Sequence, residues 1–440
     1  MSRIMLSIKS INYKLFWALI VLAFMPTIYL TVRVNFLGDL PQDWGFNIAS
    51  QLAWIHLIYE VIQEALLLPL FFMLGLSLGK EKEFENKVRT GLIITFLIYG
   101  FLSALMIIFA ESLTIFMQQQ PQLVDATVSF IRLETIASVF YTMFKFILIV
   151  LISLNKDKIL YWLLGIQMVL TILLDALLIS QLSFSFSIGV NGIAITNMIV
   201  NAVLLLITLW LLKREGINIL SKERLSFEWM RTWFKVGSYS GLESLVRNLA
   251  FSLMIIRLMN VVAEQGNFWV GNNFIWGWLL LPVLTFGDLI KKEVAENKSA
   301  IETNTLGYFA VTTVFVIIWL ITIPLWPWFL REVMNVSTYE TVFYLVLIQL
   351  FFYITFAYNN IMDSTFYGLG KTHYMLYQSL IVNILFYGVA FVLYIMGIFT
   401  PTLTSIALLF GLGIFFDMIP TVYLYVYLLK KENLKILNVY

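Results

Sequence analysis

The sequence predicts an all-α integral membrane protein: twelve transmembrane helices in two pseudo-symmetric six-helix bundles, an N-lobe and a C-lobe. Three observations carry this. Of 440 residues, 60% are hydrophobic and 12% charged, about half the charge of a soluble globular chain. The apolar residues gather into long runs, each able to supply the roughly 20 residues that cross a bilayer. Basic residues cluster in every second loop. The composition excludes a soluble enzyme, a disordered protein and a single anchor carrying a large water-soluble domain.

The runs fall at 13–36, 52–79, 91–116, 126–153, 159–181 and 188–212, then at 234–262, 268–290, 305–330, 341–367, 372–398 and 403–429. The leading MSRIMLSIKSINYK is basic and has no small-residue cleavage site, so the first run reads as a retained span and not a removed signal peptide. Of the 28 Lys and Arg residues, 22 lie in the N-terminal tail, the loops after even-numbered runs, or the C-terminus, from Arg3, Lys9 and Lys14 through Lys213 and Lys222 to Lys431 and Lys435. The opposite loops hold Arg331 alone. Both termini are therefore expected in the cytoplasm, in a multi-pass protein of the plasma membrane.

The halves repeat. LLLP stands at 66–69 and 279–282, each followed by Gly and a charged stretch, LGKEKEFEN and FGDLIKKEVAEN. LNK at 154–156 answers LGK at 369–371, and LLKR at 211–214 answers LLKK at 428–431. Six helices per half keep both halves in one orientation, about an axis along the membrane normal. The expected divisions are 1–212 for the N-lobe, 213–233 for a cytoplasmic linker, 234–430 for the C-lobe and 431–440 for a cytoplasmic tail. No loop is large enough for an extramembrane domain, so binding must occur among the helices.

Zero cysteines exclude disulfides and thiol chemistry, and two histidines, His56 and His373, argue against histidine-based catalysis. A net charge of +2 gives no case for nucleic-acid binding. Charges inside the runs are informative, because one at mid-bilayer costs from about 2.5 to over 10 kcal/mol. They are Arg33, Glu60, Glu64, Glu111, Arg132, Glu134, Lys145, Asp175, Glu243, Arg247, Arg257, Asp288, Asp363 and Asp417. Glu111, Arg132, Glu134 and Asp288 lie close to run ends and read as snorkelling or interfacial groups.

Glu243 and Asp363 lie deeper, on two different helices. Converging, they could hold one Na⁺ or share protons; the alternative is that Glu243 pairs with Arg247 four residues on. His56, Glu60 and Glu64 share one helix face with Gln63 beside them. They read either as a proton relay or divalent-cation site, or as a hydrogen-bonded set that neutralises Arg33 or lines a wet vestibule. Arg33 and Arg247 stand at corresponding places in the two halves. Either they face a cavity and take an anionic group, or each neutralises a local acid, Glu60 or Glu243. Prolines 26, 69, 282, 324, 327 and 420 interrupt runs and should kink them.

Three stretches carry a family resemblance: TILLDALLIS with SIGVNGIAITNMIVNAVLLLITLWLLKR within 171–214, GLESLV at 241–246, and NNIMDSTFYGLGKTHYM at 359–375. In these, and in its two six-helix halves, the chain resembles the multidrug and toxin extrusion (MATE) family of the polysaccharide-exporter (MOP) flippase superfamily. The resemblance implies a V-shaped pair of bundles and export of amphipathic, often cationic small molecules in exchange for Na⁺ or H⁺. By matching motifs it places Glu243 and Asp363 on the second-half cation-site acids and Asp175 on the first-half one. Arg33 stands where the family usually has an aspartate, and Thr171 where an asparagine commonly precedes the fifth-helix acid.

The expected function is a cation-coupled antiporter working by alternating access. Its coupling ion is Na⁺, held at Glu243 and Asp363, or H⁺, with Asp175 as a further cation-site acid and Arg33, Glu60, Glu64 and Arg247 as substrate-cavity candidates. No other cofactor is expected, and a monomer in the lipid bilayer is what the family implies. The alternative is a flippase for lipid-linked oligosaccharides or other anionic lipids, motivated by the two arginines. An integral-membrane transferase is a third reading, against which the outward loops 38–46, 118–125 and 263–267 are too short for a catalytic loop.

Overall fold

A computed structural model describes residues 3–41, 44–154, 156, 158–219, 221 and 224–434, without the side chains of Phe71 and Phe72. Leu220, Lys222 and Glu223 of the expected linker, and 435–440 of the expected tail with Lys435, lie outside the described residues. Among the described residues there is no strand, and eleven helices are long and apolar enough to cross a membrane, or twelve when one bent pair is counted as a span. This is the all-helical membrane fold that the composition predicts.

The spans, numbered in chain order, are Tyr13–Gly38, Leu52–Gly75, Glu81–Phe116, Val124–Ser153, Lys158–Leu178, Asn191–Arg214, Met230–Val261, the bent eighth (Gln265–Leu279 with Leu281–Glu296), Ala300–Val333, Tyr339–Gly368, His373–Ile395 and Leu403–Lys431. Each of the twelve apolar runs has its helix. Span 3 begins ten residues before its run, because Glu83 pairs with Lys80 at 3.3 Å and Lys87 at 3.0 Å and carries the helix on through the charged stretch. Span 8 bends by 53°, with a π-helical turn at Ile275–Leu279 and Pro282 just after the break. Proline removes an amide donor and cannot continue the preceding turn. Pro26, Pro69 and Pro420, by contrast, sit inside helices that run on through them.

By contact the chain forms two compact units, 32–266 and 1–31 with 267–440. This is a different partition from the two halves of the repeat: most of span 1 groups with spans 8 to 12, and span 7 groups with spans 2 to 6.

In the 32–266 unit, span 4 packs along span 6, with Phe144, Leu163, Val200 and Leu204 forming a buried cluster. Span 7 packs on span 2 through glycines spaced four apart. A Cβ on Gly237 would fall 1.8 Å from the Ala65 carbonyl oxygen, and one on Gly241 2.8 Å from the Ala65 Cβ. Small residues let two membrane helices bring their backbones together, where interhelical hydrogen bonds can follow. Here Trp233 Nε1 donates to the Leu66 carbonyl at 2.8 Å, Ser240 Oγ to that of Glu64 at 2.8 Å and Asn248 Nδ2 to that of Leu57 at 3.0 Å. The polar 213–233 stretch is tied down on this unit. Asn86 exchanges two bonds with Ser226, at 2.8 and 2.9 Å, and Trp229 Nε1 donates to Thr90 at 2.9 Å.

In the other unit, a buried aromatic core joins Phe16, Phe286 and Tyr308 to Leu289, Ile290 and Ile361. A short helix, Arg3–Lys9, lies on span 9, where the Gly307 amide donates to Ser7 Oγ at 2.7 Å. A Cβ on Gly307 would meet the Ser7 carbonyl carbon at 2.7 Å. Glu293 closes this corner, accepting from the Asn12 amide at 2.7 Å and from Asn304 Nδ2 at 3.0 Å.

Gly237→Ala should force spans 2 and 7 apart, since the obstructing atom is backbone. We expect a loss of about 1–3 kcal/mol, read as a lower melting temperature in detergent. Gly100→Ala, on span 3 where a Cβ would meet nothing within 4 Å, should not destabilise. Equal melting of Gly237→Ala and wild type would show that the two helices are not in this contact.

Candidate functional site

Most intramembrane charges of the 32–266 unit sort into three groups by partner; Glu111 is exposed, and Arg132 and Arg257 donate instead to the backbone carbonyls of Ile107 and Phe116, at 3.3 and 2.9 Å. The first is an ion pair. Arg33 at the end of span 1 and Asp175 near the end of span 5 are both buried, their side chains 8% and 1% exposed. Arg33 Nε donates to Asp175 Oδ2 at 2.7 Å and Nη2 to Oδ1 at 3.2 Å, so one guanidinium holds both carboxylate oxygens. The fork geometry suits arginine and no other cationic side chain.

The second is a half-exposed cluster between spans 2 and 7. Arg247 lies 2.9 Å from Glu60, 3.4 Å from Glu243 and 3.8 Å from Glu64. Lys145 of span 4 donates to Gln63 at 2.7 Å and acts through space on Glu60 and Glu64. Three carboxylates thus face two cations. Arg247 and Glu60 are 40% and 37% exposed, so the cluster is not sealed inside the unit.

The third is Glu134 on span 4, only 4% exposed, with Asn197 of span 6 donating to its two oxygens at 3.0 and 2.9 Å.

In the unit of 1–31 and 267–440, Gln378 of span 11 bridges two neighbours. It donates from Nε2 to Asp363 Oδ1 of span 10 at 3.0 Å and also to Thr421 Oγ1 of span 12. Thr421 Oγ1 in turn donates to the backbone carbonyl of Asp417 at 2.7 Å. Asp363 and Asp417 lie close enough to feel each other's charge. Lys291 also acts on Asp363 through space, but pairs with Asp288 at 2.8 Å. Among the described residues neither Asp363 nor Asp417 has a cation at ion-pair distance.

Set against the sequence reading, Arg33 is neutralised by Asp175 and not by Glu60, whose partner is Arg247. Glu243 does pair with Arg247, the local alternative for that acid. Glu243 and Asp363 fall in different compact units, each with its own partners. His56 is exposed and Glu60 and Glu64 turn to Arg247, so the three form no common hydrogen-bonded set. Glu134 is a correction: it is no snorkelling group at a run end but is buried against span 6. Glu111, Arg132 and Asp288 are exposed, as expected of interfacial groups. The partners Asn197, Gln378 and Thr421 were not singled out, their one signal being a polar side chain deep in an apolar run, and Asp417 was named only as one of the charges within the runs, with no partner assigned.

The MatE family model matches residues 73–177, ending inside the TILLDALLIS stretch. No curated protein sequence matches the chain. Among solved structures, the chain is similar to an inward-facing multidrug resistance MATE family transporter of the MOP superfamily, at TM-score 0.69 and 14% identity over 91% of this chain and 93% of that one. It is similar to an outward-facing one at 0.63 and 14%, over 94% and 93%. It is also similar to a MOP superfamily transporter from Pyrococcus furiosus, for which a binding pocket of reverse polarity is described, at 0.64 and 15% over 96% of each. The fold is that of MATE transporters, and the resemblance read from the sequence holds.

The Arg33–Asp175 pair is set to matter for stability in one direction only. Removing one partner strands a buried charge, at a cost of about 3–5 kcal/mol, whereas replacing both with apolar side chains costs far less or nothing. Arg33→Ala should therefore melt well below wild type in detergent, and the double variant Arg33→Met, Asp175→Leu should recover most of the loss. A single variant as stable as wild type would rule the pair out.

Proposed function

We propose that this protein is a MATE-type exporter, moving amphipathic small molecules out of the cell by alternating access in exchange for Na⁺ or H⁺. It acts as a carrier and not as an enzyme, a monomer in the plasma membrane with both termini cytoplasmic, as the loop basicity favours. The observation that carries the reading is the Asp363–Asp417 pair: two acids within spans 10 and 12, with no cation of their own among the described residues. Two carboxylates that feel each other's charge within membrane spans need a positive charge to balance them. A coupling ion that comes and goes supplies it.

Asp363 keeps the role drawn from the resemblance, and its acidic partner becomes Asp417. Glu243 belongs with Glu60 and Glu64 in the half-exposed cluster, where acids outnumber cations. That surplus favours an amphipathic cation, which would compete with Arg247 for the carboxylates. It weighs against the flippase alternative, because Arg33 is paired with Asp175 through two bonds and Arg247 is ringed by acids. Asp175 is left out of the coupling set because Arg33 holds both its oxygens. To carry the protein from one facing state to the other, from 1:99 to 99:1, ion and substrate must together supply about 5.5 kcal/mol of differential binding. Charge balance at a partly buried acid pair within the spans is a source of that order.

The test is efflux of a fluorescent lipophilic cation from proteoliposomes under an imposed Na⁺ gradient and then a pH gradient. Wild type should respond to at least one gradient, and Asp363→Asn or Asp417→Asn should lower that efflux by about tenfold or more. Glu60→Gln with Glu64→Gln should weaken uptake of the cation without abolishing coupling. Unchanged coupled efflux in the Asp363→Asn, Asp417→Asn double variant would overturn the assignment.

A further inference from the structure

We infer that Glu134 is a proton-carrying group of the transport cycle, with Asn197 as the partner that serves both its charge states. This rests on the cation-coupled reading above and adds a proton site in the 32–266 unit. Glu134 lies ten residues into span 4, about 15 Å along the helix from its start. It is buried, and both of its carboxyl oxygens accept from the Asn197 amide nitrogen, at 3.0 and 2.9 Å. Ser138 bonds the Glu134 backbone carbonyl and leaves the carboxyl alone.

The titratable and charged groups facing it are few. Arg33 acts on it through space, while spending Nε and Nη2 on Asp175. From span 2, the Tyr59 hydroxyl is bonded to Ser103 at 2.7 Å. From span 3, the Tyr99 hydroxyl donates to the Tyr59 carbonyl at 3.2 Å and Glu111 is exposed. Span 6 brings no charged side chain before Lys213, and the short helix Trp44–Ala49 brings none. Among the described residues Glu134 therefore has no ion-pair partner.

The partner's chemistry decides what such an acid can do. A guanidinium only donates, so it fits a carboxylate and fixes Asp175 in that form. A primary amide offers two N–H donors on one side and a carbonyl acceptor on the other. Turning over, Asn197 can donate to the carboxylate or accept from the carboxylic acid, so Glu134 can gain and lose a proton without leaving a bond unmade. A metal cation fits poorly: hard cations such as Ca²⁺ gather about six or more oxygens, and this pocket presents one carboxylate and one amide. A buried acid–amide pair that merely glued span 4 to span 6 would serve equally well with glutamine in place of the acid.

Glu134→Gln keeps the size and the hydrogen bond and removes only the proton site. In infrared spectra of the purified full chain titrated with acid and base, wild type should show a carboxyl band that appears and disappears with pH and is absent from Glu134→Gln. Asn197→Ala should move that band to higher frequency, as for a carboxyl deprived of its hydrogen bond, and answers the question if Glu134→Gln fails to fold. In proteoliposomes, Glu134→Gln should lower efflux driven by a pH gradient by about tenfold. A titrating band unchanged in both variants, or undiminished pH-driven efflux in a folded Glu134→Gln, overturns the proposal. Wild type that responds to neither gradient overturns the coupling reading instead, and the infrared band then still decides whether Glu134 exchanges a proton.

Discussion

An apolar solvent sets the terms on which any charge can sit inside this helix bundle. Two unit charges at contact distance interact about twenty times more strongly in a dry interior than in water, and an unpartnered one is correspondingly costly. The chain meets that constraint in three ways. Arg33 and Asp175 cancel each other in full burial. Glu60, Glu64, Glu243, Arg247 and Lys145 stay partly exposed and set three carboxylates against two cations. Glu134 and Asp363 are satisfied by amides, Asn197 and Gln378, which bring hydrogen bonds but no charge. Only in the third arrangement is the charge left for something mobile to balance.

Helix packing makes these arrangements precise. Without a hydrophobic drive between helices in lipid, close association depends on backbone approach and interhelical bonds. Gly237 and Gly241 bring span 7 onto Ala65, which places Arg247 one to two turns further on beside Glu60 and Glu64 of span 2. The bonds of Trp233, Ser240 and Asn248 to span 2 carbonyls hold the register along the same line. A half-exposed cluster of long side chains, entropically free elsewhere, is thus built on two helices that cannot slide.

The spans were legible because a bilayer imposes length and composition directly, and nothing in tertiary packing overrides twenty apolar residues in a row. The linker was legible for the opposite reason, being the longest polar stretch, although its ties to Asn86 and Thr90 were not. Partners across helices were not legible. Spacing rules see one helix, so Arg247 with Glu243 was within reach, while Arg33 with Asp175, 142 residues apart, was not. Glu134 was misread for a related reason. Distance from the end of an apolar run stood in for depth, but burial there comes from span 6, which meets span 4 along most of its length. Gln378 joins Asp363 of span 10 to Thr421 of span 12, and no periodicity encodes a bridge among three helices.

The identity of a partner also carries information that the acid alone does not. Asp175 and Glu134 lie in the same unit, both buried, and differ mainly in what faces them. A guanidinium at Asp175 is a permanent cation: it meets the electrostatic need once and leaves nothing to gain from a further ion, so the pair can stabilise a bundle but cannot respond to a gradient. An amide at Glu134 or at Asp363 leaves the need unmet in the ionised state. The free energy of meeting it then depends on the ion or proton activity on whichever side the site is open to, which is the dependence that a coupled carrier requires. Arg33, standing where the resemblance leads one to expect an aspartate, therefore does more than remove an acid from the first half. It converts that position from a responsive one to a fixed one, and leaves any response of the 32–266 unit to its remaining buried acid.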